Sequence, residues 1–312
     1  MKVVFMGTPD IAVPCLQKLI DEGHEVAAVV TQPDKPKGRG KKLAMPPVKE
    51  LAVKYDIPVL QPVRARDEEF VKSIKEINPD LIVVIAFGQI LGKELLEIPK
   101  YGCINVHVSL LPKYRGAAPI NWVIINGEKK TGITTMYMDE GLDTGDIILS
   151  KEFDLDRYIT AGELHDRMMV EGAEILKDTI DLIEKGEAKR TPQNHDEFSY
   201  APIMDRNLGN IDFTKSAEEI HNLARGVNPW PGAYTFYNDV KMKIWKTDVL
   251  NEKSSKEPGT VLSVDKNGIK ISTGDGILLV EEIQMPNKKR MPVSEYIKGN
   301  SIDTGAILGQ EK

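Results

Sequence analysis

Leu81-Ile82-Val83-Val84-Ile85-Ala86-Phe87 is an unbroken apolar run that stops at Gly88. A run without polar alternation marks a strand buried on both faces, as in a parallel sheet covered by helices. The neighbouring sequence repeats the theme in both directions. Upstream, Lys2–Gly7 predicts a strand, residues 11–22 a helix, 25–31 a strand, 47–55 a helix, 59–61 a short strand and 68–77 a helix. Downstream, 103–108 predicts a strand, 119–126 a helix, 132–138 and 146–153 strands, and 161–185 a long helix. Strands alternating with helices in this way predict an α/β domain with a Rossmann-like, open, mostly parallel sheet and right-handed crossovers.

The texture changes after Gly186. Residues 189–204 carry Pro192 and Pro202 with no clear period and read as a linker. Beyond them come one helical stretch, 216–225, and short strand-like runs at 233–237, 240–246, 259–264, 268–272 and 276–283. Turn signals at Asn238-Asp239, Asn267-Gly268 and Gly274-Asp275-Gly276 separate the runs, which predicts a small OB-like β-barrel over 205–312. The expected division is therefore 1–188, linker 189–204 and 205–312. Leu142-Asp143-Thr144-Gly145 recurs as Ile302-Asp303-Thr304-Gly305 in unlike surroundings, an echo without a repeat around it.

Among the 312 residues, 41% are hydrophobic and 28% charged, the balance of a globular protein rather than a disordered one. No apolar run approaches the roughly 20 residues that span a bilayer, and the start lacks the features of a signal peptide, so a cytoplasmic protein without membrane attachment is expected. Two cysteines, Cys15 and Cys103, with no CxxC spacing, exclude a disulfide framework and a zinc site from the expectations. Cys103 reads as a small buried hydrophobe rather than a nucleophile. A net charge of −6 argues against general affinity for nucleic acid. Yet 35–49 reads KPKGRGKKLAMPPVK, with six cations, and Lys288-Lys289-Arg290 is a second basic cluster.

Chemistry concentrates in two places. In Asn105-Val106-His107-Val108-Ser109 the alternation of a strand puts Asn105, His107 and Ser109 on one face, at the end of an apolar strand where α/β sheets place ligands. Asp139-Glu140-Gly141-Leu142-Asp143-Thr144-Gly145-Asp146 is a tight loop with two glycines and four acids. Each piece alone has an ordinary reading, a satisfied polar edge and a solvated turn. A dinucleotide-binding reading of the first strand and helix needs GxGxxG, of which Gly7 alone is present.

Together, NVHVSLLPKYRGAAPI and GLDTGDIIL resemble the folate-dependent formyltransferase family. GTPD, GRGKK, NPWPGAY, VKMKIW, PGTVLSV and STGDGILLVEEIQ extend the likeness over essentially the whole chain and are similar to its tRNA-acting branch. The resemblance implies 10-formyltetrahydrofolate as donor, no metal, and the α-amino group of initiator methionyl-tRNA as acceptor. It also implies that Asn105, His107 and Asp143 are the catalytic set. It places the reduced folate against Ile85, Ala86, Phe87, Gly88, Gln89, Ile90 and Leu91, against Ser109, Leu110, Leu111 and Pro112, and against Asp139 and Leu142. Val108 departs from the pattern, which usually has a smaller residue there.

For tRNA, the resemblance singles out Arg39 in the basic loop, with Lys35, Lys37, Lys41 and Lys42 in support. On the barrel, Lys241, Lys243, Lys246, Lys288, Lys289 and Arg290 are the candidate phosphate contacts, and a monomer is expected. Trp230 is expected to pack in the core or at a domain interface. Formyltetrahydrofolate hydrolases and sugar or purine-precursor formyltransferases would share the catalytic set, and the GRGKK loop favours tRNA over these acceptors.

Overall fold

The computed structural model describes residues 1–37 and 42–309. They fall into two compact units. The first comprises Met1–Pro119, Lys130–Asp154 and His165–Ala201, and the second Ile120–Lys129, Leu155–Leu164 and Pro202–Lys312.

The first unit is built on a seven-stranded sheet. Five parallel strands run Val59–Leu60, Glu25–Val30, Lys2–Gly7, Leu81–Ile85 and Cys103–His107 in spatial order. Lys130–Tyr137 then joins antiparallel to Cys103–His107, and Ile147–Asp154 pairs antiparallel with it at the edge. All five residues of Leu81–Ile85 are buried, as the uninterrupted apolar run requires. The strand stops at Ile85 because Ala86 turns into the left-handed region, φ 47°, ahead of Gly88 at φ 81°.

Strand order reverses between Lys2–Gly7 and Leu81–Ile85. At such a switch point consecutive crossovers leave on opposite faces of the sheet, opening a crevice beyond the strand ends. Glu68–Ile77 covers one face through Phe70, Val71 and Ile74, spaced for one side of a helix. Asn78, at φ 50°, ends it, and its N–H donates to the Ile74 carbonyl. Ile74, Ile82, Val84, Phe87 and Leu95 share one core cluster. Each fully buried side chain of this kind contributes about 1.5–3 kcal/mol.

In the second unit, Ala217–Gly226 precedes an antiparallel sheet ordered Ala233–Tyr237, Val240–Leu250, Ile277–Gln284, Gly268–Ser272 and Val261–Asp265, with Met291–Pro292 added to Ile277–Gln284. The expected barrel is closed by a segment that carries no strand signal. Ala306 accepts from the Val261 N–H at 2.8 Å on one side, and Gly309 donates to the Phe236 carbonyl at 3.1 Å on the other. The Asp303 echo lies here, hydrogen bonded to the Tyr237 hydroxyl.

The unit boundaries do not coincide with those expected from texture. Residues 189–201 are not free chain: Thr191 bridges Ile147, Gln193 is buried, and Tyr200–Ala201 pairs in parallel with Arg115–Gly116. Ile120–Lys129 and Leu155–Leu164 belong with the second unit. The Asn121 amide donates to the Gly226 carbonyl at 2.8 Å, and Gly162 N–H donates to the Asn228 carbonyl at 3.0 Å. Such pairings across sequence leave no trace in local composition. The basic loop also contains a short hairpin, Lys35–Lys37 with Lys42–Ala44.

Candidate active site

A cavity of about 470 Å³ opens at the carboxyl ends of Leu81–Ile85 and Cys103–His107, one strand along from the switch point of the sheet. Its size is that of a small-molecule site. Residues 84–91 line one side, with Ile11 beside them; Asn105, Val106, His107 and Val108 line another. Asp139, Gly141, Leu142 and Asp143 close it from the acidic loop.

The strand supplies Asn105 and His107 from alternate positions, as expected, and both are buried. Asp143 comes from the loop between two antiparallel strands. That loop is held tightly: the Asp139 carboxylate accepts from Gly141 N–H at 3.0 Å and from the Thr144 hydroxyl at 2.7 Å. Gly145 has to be glycine, because a Cβ there would sit 1.7 Å from the Tyr137 carbonyl oxygen.

The three side chains converge. Asn105 Nδ2 donates to Asp143 Oδ1 at 3.4 Å, and His107 Nδ1 lies 3.7 Å from Asp143 Oδ2. Gly116 N–H donates to Asp143 Oδ2 at 2.8 Å. His107 Nε2 lies 2.9 Å from the Tyr114 carbonyl oxygen. A carbonyl only accepts, so Nε2 carries the proton and Nδ1 is the nitrogen turned to Asp143.

Of the expected folate residues, Ile85, Ala86, Phe87, Gly88, Gln89, Ile90, Leu91, Asp139 and Leu142 line the cavity. Ser109, Leu110, Leu111 and Pro112 do not. The Ser109 hydroxyl donates to the Lys113 carbonyl, and its own carbonyl accepts from Thr134. These four residues shape the bend that brings Tyr114 back to His107. Val108 does line the cavity, so the bulkier residue narrows it directly. Phe87 is fixed through its carbonyl, which accepts from the Gln32 amide at 3.1 Å and the Thr8 hydroxyl at 3.3 Å. Tyr114, Gly116 and Gln193 support the site through bonds that sequence patterning does not register.

The cation candidates divide. Arg39 and Lys41 lie outside the described residues, as do the side chains of Lys37 and Lys42, while Lys35 is exposed. At the loop's base, Asp34 pairs with Lys49 at 2.8 Å and is bonded by Gln61, and these contacts hold its carboxyl below the usual range. On the second unit, Lys241 sits 3.3 Å from the Tyr234 ring centroid and Lys243 5.3 Å from that of Trp245. Arg290 also lies 5.3 Å from the Trp245 ring and pairs with Glu282; Lys246 pairs with Glu281 at 3.2 Å. Lys288 and Lys289 are exposed. Trp230, expected to be packed away, is 53% exposed, because its loop projects between prolines ahead of Ala233–Tyr237.

Among the described residues no group of three or more His, Cys, Asp or Glu could hold a metal ion, and no helix is long and apolar enough to cross a membrane.

Residues 1–180 match the formyl transferase family, and residues 203–301 match the formyl transferase C-terminal domain. A methionyl-tRNA formyltransferase of Clostridioides difficile is 74% identical over 99% of this chain and 100% of its own length. One from Alkaliphilus oremlandii is 58% identical with the same coverage. Among solved structures, a sugar 3N-formyltransferase determined in the presence of dTDP and 5-N-formyl-THF superposes with TM-score 0.69 at 26% identity, over 93% of this chain and 99% of that one. An N-formyltransferase from Helicobacter canadensis, in complex with folinic acid and dTDP-3-aminofucose, does so with TM-score 0.69 at 25% identity, over 91% and 99%. Two domain matches in the right order, and full-length relatives of one kind around a cavity carrying Asn, His and Asp, place this chain in the formyl transferase family, among the methionyl-tRNA formyltransferases.

Proposed function

We propose that the protein transfers the formyl group of 10-formyltetrahydrofolate to the α-amino group of methionine on initiator methionyl-tRNA, releasing tetrahydrofolate. The observation that carries this reading is the convergence of Asn105, His107 and Asp143 on one cavity beside residues 84–91. The pterin occupies the apolar side, and main-chain groups of 85–91 read its edges.

An aminoacyl ester keeps much of its α-amino group neutral near pH 7.5, since a free α-amino pKa of about 7.7–8.0 falls further beside an ester. Attack on the formyl carbon then needs little base catalysis. The developing oxyanion is the larger problem. Asn105 Nδ2–H stabilises it, and a donor of this kind contributes about 2.7–4 kcal/mol. His107 lends its Nδ1 side, fixed by the Nε2–H bond to Tyr114. Asp143, whose carboxylate accepts from Gly116 N–H and Asn105, takes the proton from the attacking amine. The C–N10 bond breaks as N10 gains a proton, and formyl-methionyl-tRNA and tetrahydrofolate leave.

The chemistry and the folate belong to residues 1–188. The tRNA is held by the basic loop around Arg39 and by the outer face of 205–312. There Lys241, Lys243, Trp245 and Arg290 combine cations with rings, the pairing that suits a sugar-phosphate backbone. The protein works as a monomer in the cytoplasm. The test supplies 10-formyltetrahydrofolate with and without charged initiator tRNA and follows formyl-methionine on the RNA. Formyl release at the same rate without tRNA would identify a hydrolase instead.

A further inference from the structure

We propose that Arg115 and Gln193 form a buried brace that positions Asp143 for the transfer, acting as positioning residues at the site proposed above. The inference rests on that reading of the site and adds two residues to it.

Gln193 is 5% exposed and Arg115 3% exposed. Arg115 Nε and Nη2 both donate to Gln193 Oε1, at 3.1 and 2.6 Å. Gln193 Nε2 donates in turn to the carbonyls of Asp143 and Gly145, at 2.9 and 2.8 Å. A side chain of this length that accepts from a guanidinium and donates to two carbonyls has to be an amide, because a carboxylate has no hydrogen to give. The carbonyls it grips flank the turn at which Asp143 adopts φ 53°. Holding a residue other than glycine there needs support from its surroundings.

The other end of the brace matters equally. Arg115 lies between Tyr114, whose carbonyl fixes His107, and Gly116, whose N–H binds the Asp143 carboxylate. Arg115 N–H is itself bonded to the Ser199 carbonyl at 2.9 Å. One buried pair therefore ties the loop that carries Asp143 to the segment that supports His107. Loss of the brace lets the carboxylate drift from Asn105 and His107 while the cavity that holds the folate stays intact. Sub-ångström placement is where catalytic rate is most sensitive.

The test compares Gln193→Met and Gln193→Glu with the natural protein, alone and combined with Asp143→Asn. Gln193→Glu keeps the volume and the acceptor for Arg115, so it carries the test should Gln193→Met fail to fold. The expected result is a loss of kcat of about tenfold or more, as two lost hydrogen bonds would give, with KM for folate and tRNA within about twofold. In the Asp143→Asn background the further loss should shrink below about twofold, because the brace acts through Asp143. An unchanged kcat, or a full multiplicative loss in that background, overturns the proposal. Hydrogen exchange at the Gly116 amide reads the same brace without turnover. It should quicken about tenfold in Gln193→Met or Gln193→Glu, and unchanged protection also overturns the brace. Absent formyl transfer in the natural protein would instead count against the function proposed above.

Discussion

Asp143 holds its backbone at φ 53° and its carboxylate between two donors, Gly116 N–H and Asn105 Nδ2, and the His107 ring. Asn105 is the partner that faces the reacting carbonyl in the proposed mechanism. Replacing Asn105 with alanine should therefore lower kcat by about 10²–10³ while leaving KM for tRNA little changed. Steady-state kinetics with charged tRNA checks this, and a loss confined to KM would move Asn105 from chemistry to binding. At the same scale the cysteines take no part. Burial pushes both the Cys15 and the Cys103 thiols up to about 12. Thiolate is the reactive form, so iodoacetamide at pH 8 should leave both unmodified in the native protein and label both in denaturant. Mass spectrometry reads the outcome, and rapid native labelling of Cys103 would contradict the packing described.

At the scale of elements, Ala217–Gly226 has a capping box. Ser216 accepts from the Glu219 N–H, and the Glu219 carboxylate accepts from the Ser216 N–H and hydroxyl. Those bonds, the backbone one first, hold the Glu219 carboxyl below its ordinary value of 4.5. A depressed folded pKa means the contribution is complete above 4.5 and fades as pH falls through the folded value. Ser216→Ala should cost about 1 kcal/mol at pH 7. Denaturant unfolding at pH 7 and pH 3.5 measures both effects, and the cost should be smaller at the lower pH. The helix itself was legible from residues 216–225, since Ser216 and Glu219 carry the box in their spacing. The Gln193 brace was not, because its partners lie up to 78 residues away in sequence and no local period encodes them.

At the scale of the whole molecule, an overall charge of −6 coexists with confined cationic surface. Binding of tRNA should therefore weaken steeply with salt. Lys243→Ala and Arg290→Ala should each reduce the log–log salt slope by roughly 0.7–0.9, the counterion share of one phosphate contact. Fluorescence titration at several salt concentrations gives the slope. A slope unchanged in both variants would remove this face from the proposed interface. Both side chains lie beside the Trp245 ring, each 5.3 Å from its centroid.

The sequence by itself determined the seven strands of the first sheet, the long helices, the parallel core around Leu81–Ile85 and the family to which the chain belongs. Those properties live in local periodicity and in ordered motifs, which a linear string carries in full. Only the tertiary structure decided that the Ser109 hydroxyl bonds the Lys113 carbonyl and that Trp230 is exposed. It alone showed that residues 302–309 close the second sheet and that Gln193, in the stretch read as linker, donates to the Asp143 carbonyl. Each of these depends on which backbone carbonyl or ring a distant residue meets, and a composition of mixed polarity is compatible with a free chain as well as with a satisfied, buried one. Burial and hydrogen-bond partners, not residue types, make that choice.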